Sequence, residues 1–310
     1  MDCSTIMVSY NTFDLTREAV EAALAATEDL SHEVIVIDNH SPDDSAARLR
    51  EAFPEATFPD VHILANADNV GFSKANKQGA ARARGAVLFF LNPDTLARGH
   101  AIRTLYDFLS AHPEAGAVGP RVLNPDGTDQ LSTASFPTIR RMLYHHLPVG
   151  SLLRGKDRRL DATPTVTGPV DIVNGCALAL RREAYESVGG WDESYFMYSE
   201  ETELCHALRQ AGYTNYFVRE AEIIHYGGAS SWDNYARQQI VQQRSALQFL
   251  RRHHTPRWVA CYRVMGVFGF GLRALLFPLL VRLRPRSAPD YRRRGQAAAL
   301  LFRWFLLDYS

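Results

Sequence analysis

Across its first 120 residues the chain alternates short apolar runs with helical patterns, and each apolar run ends in small polar residues. That alternation restricts the fold to a mostly parallel sheet covered by helices on both faces. It predicts strands at residues 5–9, 33–37, 61–64, 87–91 and 117–119, and helices at 15–26, 43–52, 73–83 and 101–111. In an open α/β sheet a ligand sits beyond the carboxyl ends of the strands. The residues there are Tyr10 and Asn11, Asp38 and Asn39, Asn66 and Asn69, then Asn92, Pro93 and Asp94. The layout is that of a nucleotide-binding domain.

Beyond residue 124 the pattern loosens. Asn124-Pro125-Asp126-Gly127 is turn chemistry, and residues 124–169 read as a linker or flap. Regular patterns return as strands at 170–173 and 178–181 and helices at 199–210 and 237–252. Lys plus Arg and Asp plus Glu both total 34, so the chain lacks the basic excess of a nucleic-acid binder. Cys3, Cys176, Cys205 and Cys261 form no CxxC pair, which suits reduced thiols in the cytoplasm. Residues 1–10 run straight into a strand without a basic and apolar leader, so export is not expected.

Several polar residues carry a chemical reading beside a structural one. Asp94 follows the strongest apolar run of the N-terminal half, and a carboxylate at that strand end can hold a divalent ion together with diphosphate oxygens. Asn92-Pro93-Asp94 also reads as a plain turn. Asp38 can accept from a base or ribose, or cap the next helix. Ser9-Tyr10-Asn11-Thr12 stands where a GxGxxG would follow the first strand, which argues against hydride transfer. Asn69-Val70-Gly71 feeds a helix containing Asn76, and glycine there lets backbone approach an anionic ligand. Ser199-Glu200-Glu201-Thr202-Glu203 is either a dipole-stabilised first turn behind an N-cap serine or the source of a general base. His225 reads as a structural histidine or a metal ligand. Trp191 reads as an exposed aromatic suited to a sugar ring, or as core.

Val8-Ser9-Tyr10-Asn11, Val34-Ile35-Val36-Ile37-Asp38-Asn39, Asn69-Val70-Gly71-Phe72, Leu91-Asn92-Pro93-Asp94-Thr95, Gly119-Pro120-Arg121 with Asn124-Pro125-Asp126-Gly127, Gly189-Gly190-Trp191-Asp192-Glu193, Phe196-Met197-Tyr198-Ser199-Glu200-Glu201 and His225-Tyr226-Gly227-Gly228 share an order and spacing. They resemble the inverting glycosyltransferases of family two, over about residues 4–232. Within that family the chain is similar to bacterial rhamnosyltransferase-like enzymes of O-antigen, cell-wall and capsule assembly. The resemblance implies an α/β GT-A fold, a Rossmann-like mostly parallel sheet flanked by helices, with a helical C-terminal appendage. It implies a nucleotide-diphosphate sugar donor, dTDP-rhamnose first and UDP-hexoses as the alternative, a glycan or lipid-linked acceptor, and Mg or Mn. Carried onto this chain, it implies donor contacts from Ser9, Tyr10, Asn11, Asp38, Asn69, Gly71, Asn76, Asn92 and Asp94. Acceptor contacts fall to Trp191, Asp192 and Asn174, and metal ligation to Asp94 and His225. Glu201 stands where the family has the Asp of a Glu-Asp pair and is the implied catalytic base, with Glu200 sharing the role. Asn92 replaces the first Asp of the commonest DxD form. Residues 1–235 are then the catalytic domain, divided at 120 into a donor half and an acceptor half, and 236–310 the appendage.

The appendage departs from the even charge balance, with twelve arginines against Asp290 and Asp308 from Arg251 to Ser310. Residues 258–283 are rich in Val, Leu, Phe and Gly, but Arg263 and Arg273 interrupt them, so a spanning helix is not expected. Two expectations stand side by side. One is peripheral contact with the cytoplasmic face of a bacterial inner membrane. The other is a helical hairpin packed on protein or buried in a homodimer.

Overall fold

The structure, a computed structural model, describes residues 1–27, 29–138, 141, 146, 163–227, 235–283, 286 and 288–308. The Val- and Ile-rich runs become β1 (Cys3–Ser9), β2 (His32–Asp38), β3 (Val61–Ala65) and β4 (Val87–Leu91). They alternate with α1 (Phe13–Ala25), α2 (Ser45–Ala52) and α3 (Phe72–Arg82). β1, β2 and β4 are buried almost throughout, as strands covered on both faces must be, and they pair in parallel. β3 extends the same parallel arrangement beside β2.

After β4 come β5 (Thr95–Ala97), α4 (Ala101–Ala111), β6 (Ala115–Leu123), β7 (Thr133–Ala134), β8 (Gly168–Val170), β9 (Ile172–Val173) and β10 (Ala177–Arg181). They are followed by α5 (Arg182–Ser187), α6 (Glu200–Gln210) and β11 (Thr214–His225). The sheet runs β3-β2-β1-β4-β10-β6-β11-β5, with β8 also on β11. β10 is antiparallel to β4, with Ala177 opposite Leu91, so β10 begins at the edge where β4 ends. That reversal carries Asn174, Gly175 and Cys176 to the ends of the parallel strands. β11 meets β5 antiparallel, with His225 opposite Thr95.

The period-2 alternation of side chains divides the core between the two faces of the sheet. Met7, Val34, Val36 and Phe89 pack with Leu105 and Ile223 in one cluster. Ile6, Ile35, Ile37 and Phe90 pack with Leu178 and Trp191 in the other. Four elements of the first unit, β5, β7, β11 and α5, lie outside the sequence expectation. β11 carries Arg219, Glu220 and Glu222 and shifts register between Val218 and Glu222, so its twelve residues keep no single period. α5 has only six residues, too few for a helical repeat to show.

The chain divides into two compact units, Met1–Phe136 with Asp161–Ser230, and Pro137–Leu160 with Ser231–Ser310. The second holds α7 (Tyr235–His253), α8 (Pro256–Leu283), α9 (Ala288–Arg303) and a terminal π turn (Trp304–Asp308). Its core includes Leu250, Tyr262, Met265, Phe270, Leu301 and Phe305. Gly266 permits the close packing, because a Cβ there would lie 2.6 Å from the Phe305 ring. By length and composition α8 is able to cross a membrane. Much of the expected flap, together with Gly228 and Arg284, lies outside the described residues.

Candidate active site

β4 ends in a turn closed by the Thr95 hydroxyl, which donates to the Asn92 carbonyl at 2.6 Å. The Asn92 amide donates to the Cys176 carbonyl at 2.8 Å, and the Tyr226 amide to the Asp94 carbonyl at 2.9 Å. These bonds tie the β4 end to the start of β10 and the end of β11. They bring the Asp94 Oδ1 to 3.4 Å from His225 Nε2, with both side chains mostly buried. The imidazole is fixed from behind by Gln130, a residue in the loosely patterned stretch that sequence reasoning passed over. Gln130 Nε2 donates to the His225 carbonyl at 2.6 Å, so its Oε1 faces His225 Nδ1 at 2.9 Å. A carbonyl oxygen only accepts, so Nδ1 carries the proton in that bond, and Nε2 is the nitrogen that faces Asp94.

This donor set suits a hard divalent ion that completes its shell with phosphate oxygens and water. Asn92 Oδ1 adds a buried acceptor with no hydrogen-bond partner two residues from Asp94. Among the described residues no cluster of three or more His, Cys, Asp or Glu side chains is placed to hold an ion.

The acidic helix start is not a plain cap. Tyr198 and Ser199 lie in the left-handed region at φ 67° and 64°, and the Ser199 side chain makes no capping bond. Such residues cost on the order of 1–3 kcal/mol each and gather at sites where position matters. The two carboxylates that follow have different surroundings. Glu200 is buried with its Oε2 unpartnered, and burial followed by the charge of Glu201 pushes its carboxyl well above the usual range. Glu201 is half-buried and runs along Gly175, where a Cβ would lie 3.3 Å from the Glu201 Cβ. The Cys176 thiol is pushed up by burial and then by the charges of Asp94 and Glu201, so both carboxylates act on the same loop.

The remaining expected contacts separate into exposed and engaged groups. Tyr10 and Asn11 are exposed, with Asn11 at φ 56°. The Ser9 side chain is buried and pairs with the Thr16 hydroxyl at 2.9 Å, so it faces α1 rather than a ligand. Asp38 is buried and accepts from the Ser41 amide and hydroxyl at 3.0 and 2.5 Å, which gives it a turn-fixing role. Asn69 accepts from Asn39 Nδ2 at 2.9 Å, and Asn39 Oδ1 in turn receives Asn66 Nδ2 and the Val70 amide. Asn39 is the hub of that edge, a role its place in the sequence did not single out. Gly71, at φ 85°, leaves no room for a Cβ against Phe196 and lets the Phe72 amide reach the Phe196 carbonyl. Asn76 is buried and bonds the Phe72 carbonyl.

On the acceptor side the exposed reading of Trp191 is corrected. Trp191 is fully buried, edge-on to Phe90 and Phe72, because the apolar face of the sheet needs a large side chain there. Asp192 binds the amide and hydroxyl of Ser194. Asn174 braces its own loop through Leu131 and Cys176.

The family model described as glycosyl transferase family 2 matches residues 4–189. An N-acetylglucosaminyl-diphospho-decaprenol L-rhamnosyltransferase of Mycobacterium tuberculosis is 28% identical over 262 residues, covering 78% of this chain and 82% of the relative. A hexosyltransferase of low-salt glycan biosynthesis from Haloferax volcanii is 28% identical over 214 residues, and the chain spans 62% of it. Among solved structures, a Pyrobaculum calidifontis mannosyltransferase in complex with GDP-Man and Mn2+ superposes with a TM-score of 0.60 at 15% identity, covering 99% of this chain and 88% of that one. GalNAc-T7 with UDP, GalNAc and Mn2+ gives 0.59 at 16% identity, and the chain spans 57% of its length. The mostly parallel mixed sheet with its flanking helices is that of the GT-A fold, a helical region follows it at the C-terminus, and the chain belongs to glycosyl transferase family 2.

Proposed function

We propose that the protein is an inverting, metal-dependent glycosyltransferase that moves L-rhamnose from dTDP-rhamnose to a hydroxyl of a lipid-linked bacterial glycan. The observation that carries the reading is the pairing of Asp94 with His225 at one end of a loop whose other end rests on Glu201. Glu201 takes the proton of the acceptor hydroxyl, and the oxygen attacks the anomeric carbon from the face opposite the diphosphate. The bond to the diphosphate breaks and the configuration inverts. Mg or Mn, held by Asp94 and His225, would offset the charge that builds on the leaving group. Tyr10, Asn11 and the loop around Gly71 line the donor side, and the loop from Asn174 to Cys176 with Asp192 the acceptor side. Four free cysteines support a reducing compartment, the cytoplasm, as the place of action. The rhamnosyltransferase likeness supports the choice of sugar.

The test is nucleoside-diphosphate release from dTDP-rhamnose and from UDP- and GDP-sugars, with and without Mn, for wild type, Asp94→Ala and Glu201→Gln. Metal-dependent release from one donor, lost in both variants, is expected. A UDP-hexose as the preferred donor would replace rhamnose and leave the class standing. Metal-dependent binding without release even with acceptor lipid present would make the protein a silent sugar-nucleotide binder. Absence of binding by every donor would overturn the assignment.

A further inference from the structure

The second unit carries a surface that the catalytic reading leaves unused. On α8, Val264, Phe268, Leu272, Leu275, Leu279 and Leu283 are 44–75% exposed. At 100° per residue they fall within a sector of about 100°, one continuous stripe along the helix. The opposite side of α8 is packed, with Tyr262, Met265, Gly266, Gly269 and Phe270 buried. The two arginines that interrupt the apolar run in the sequence lie off the stripe. Arg263 donates through Nε and Nη2 to the carbonyls of Phe305 and Leu306 at 3.0 and 3.3 Å. The Arg273 guanidinium lies 5.2 Å over the Phe270 ring.

The charge around the stripe has one sign. Arg257 and Arg282, both exposed, fall in the same sector and close it at either end. At the α8 start a cavity of about 400 Å³ is lined by Arg251, His254 and Arg263 together with Pro256, Val259 and Val264, so a basic recess opens beside the first residue of the stripe. Beyond the helix, Arg286 and Arg292 are exposed, while Asp290 is ion-paired with Arg293 and Arg294.

We propose that this face docks on an anionic lipid bilayer, with α8 lying in the interface, its stripe in the acyl boundary and its arginines on headgroup phosphates. A helix packed on one side and bare on the other suits the interface rather than a span, because its packed half is already committed to protein. A second copy of the chain is the weaker occupant. Face-to-face contact would bring together two segments that each carry twelve arginines against two aspartates. The inference goes beyond the catalytic reading and stands without it.

The experiment is co-sedimentation of the full chain with vesicles of phosphatidylcholine alone and of phosphatidylcholine with phosphatidylglycerol, followed by light scattering of the free protein. Wild type should sediment with the anionic vesicles and stay in solution with the neutral ones. Leu272→Glu/Leu275→Glu/Leu279→Glu touches only exposed positions and should keep the wild-type circular dichroism and melting curve. Its vesicle affinity should fall roughly tenfold or more, and Arg257→Glu/Arg282→Glu should do the same. The inference is overturned if wild type ignores anionic vesicles or if the triple variant binds them as well as wild type does. It is also overturned if wild type is a dimer that the triple variant converts to monomers without any vesicle binding, since the stripe would then be a dimer interface.

Discussion

At the scale of single residues the site turns on which group holds which proton. Glu200 and Glu201 are adjacent in sequence, yet burial pushes the Glu200 carboxyl well above its usual range, while Glu201 is only half-buried and runs along the Gly175 loop. Glu201→Gln should therefore lower turnover by about 10² to 10⁴, the usual contribution of a positioned base. Glu200→Gln should retain most activity, and steady-state rates of the two variants separate the roles. Stability gives a second readout with a definite sign. A carboxyl raised in the folded state holds a proton that the unfolded chain releases above about pH 4.3, so wild type loses stability as pH rises past that point. Glu200→Gln should be the more stable protein at pH 7 and should match wild type below about pH 4, as urea unfolding at both pH values will show. Gln130 acts one residue further out, through the His225 tautomer. Gln130→Met keeps the length but neither bond, and it should weaken Mn binding roughly 10- to 100-fold, the range for outer-shell partners. Imidazole nitrogen NMR of the metal-free protein should show a protonated Nδ1 in wild type and a mixture of tautomers in the variant. A variant that keeps the wild-type tautomer would remove the positioning role.

Secondary-structure elements are held in register by buried polar ties as well as by apolar faces. Glu33 on β2 has no exposed side-chain surface. It accepts from the Ser4 hydroxyl on β1 and the Arg84 amide, both at 2.6 Å, and from Arg84 Nε at 2.9 Å. Burial acts to raise its pKa, but the hydrogen bonds from Ser4 and Arg84 and the Arg84 charge outweigh it and hold the carboxyl below its usual range. Glu33→Gln should cost about 1.5–3 kcal/mol at pH 7, the worth of hydrogen bonds to a charged group. A depressed carboxyl gives stability that is fully present above the unfolded pKa of about 4.3 and is lost as pH falls through the folded value. The gap between variant and wild type in urea midpoints should accordingly begin to narrow at about pH 4 and close only below the depressed folded value. The parallel half of the sheet was legible in the sequence because β1, β2 and β4 each hold an unbroken apolar run, Ile6 to Val8, Val34 to Ile37 and Val87 to Leu91. β11 was not, since its bulge and charged residues erase the period, and with it went the partner that seats His225 beside Asp94. Asp94, Glu201 and His225 were visible as polar residues at element ends. Trp191 was ambiguous because a large aromatic beside acids fits a binding surface and a core equally, and only its packing against Phe90 decides. Gln130 gave no signal, because a glutamine in a turn-rich stretch has no pattern until the strand it faces is placed.

At the scale of the molecule each unit has its own buried hydrophobic clusters among the described residues. Among the described residues, the two that cover the sheet draw on the first unit, and the one around Phe305 draws on α7, α8, α9 and the terminal turn, with the His146 ring packed against it. Stability and donor binding should therefore be separable by mutation. Phe305 is fully buried against Gly266, Tyr262 and Phe270, so Phe305→Ala removes a large side chain from the centre of the helical unit. Loss of a buried phenylalanine costs about 3–5 kcal/mol, far more than a surface change, and calorimetry should show a lowered transition for that unit. If the two units act independently their effects add, so Mn-dependent affinity for the sugar nucleotide, measured by titration below the lowered transition, should equal that of wild type. Vesicle binding should weaken in the same samples, because the bare stripe on α8 depends on the packed face behind it. If donor affinity falls together with stability, the helical unit and the sheet unit fold as one cooperative body, and the separate cores do not mark separate functions.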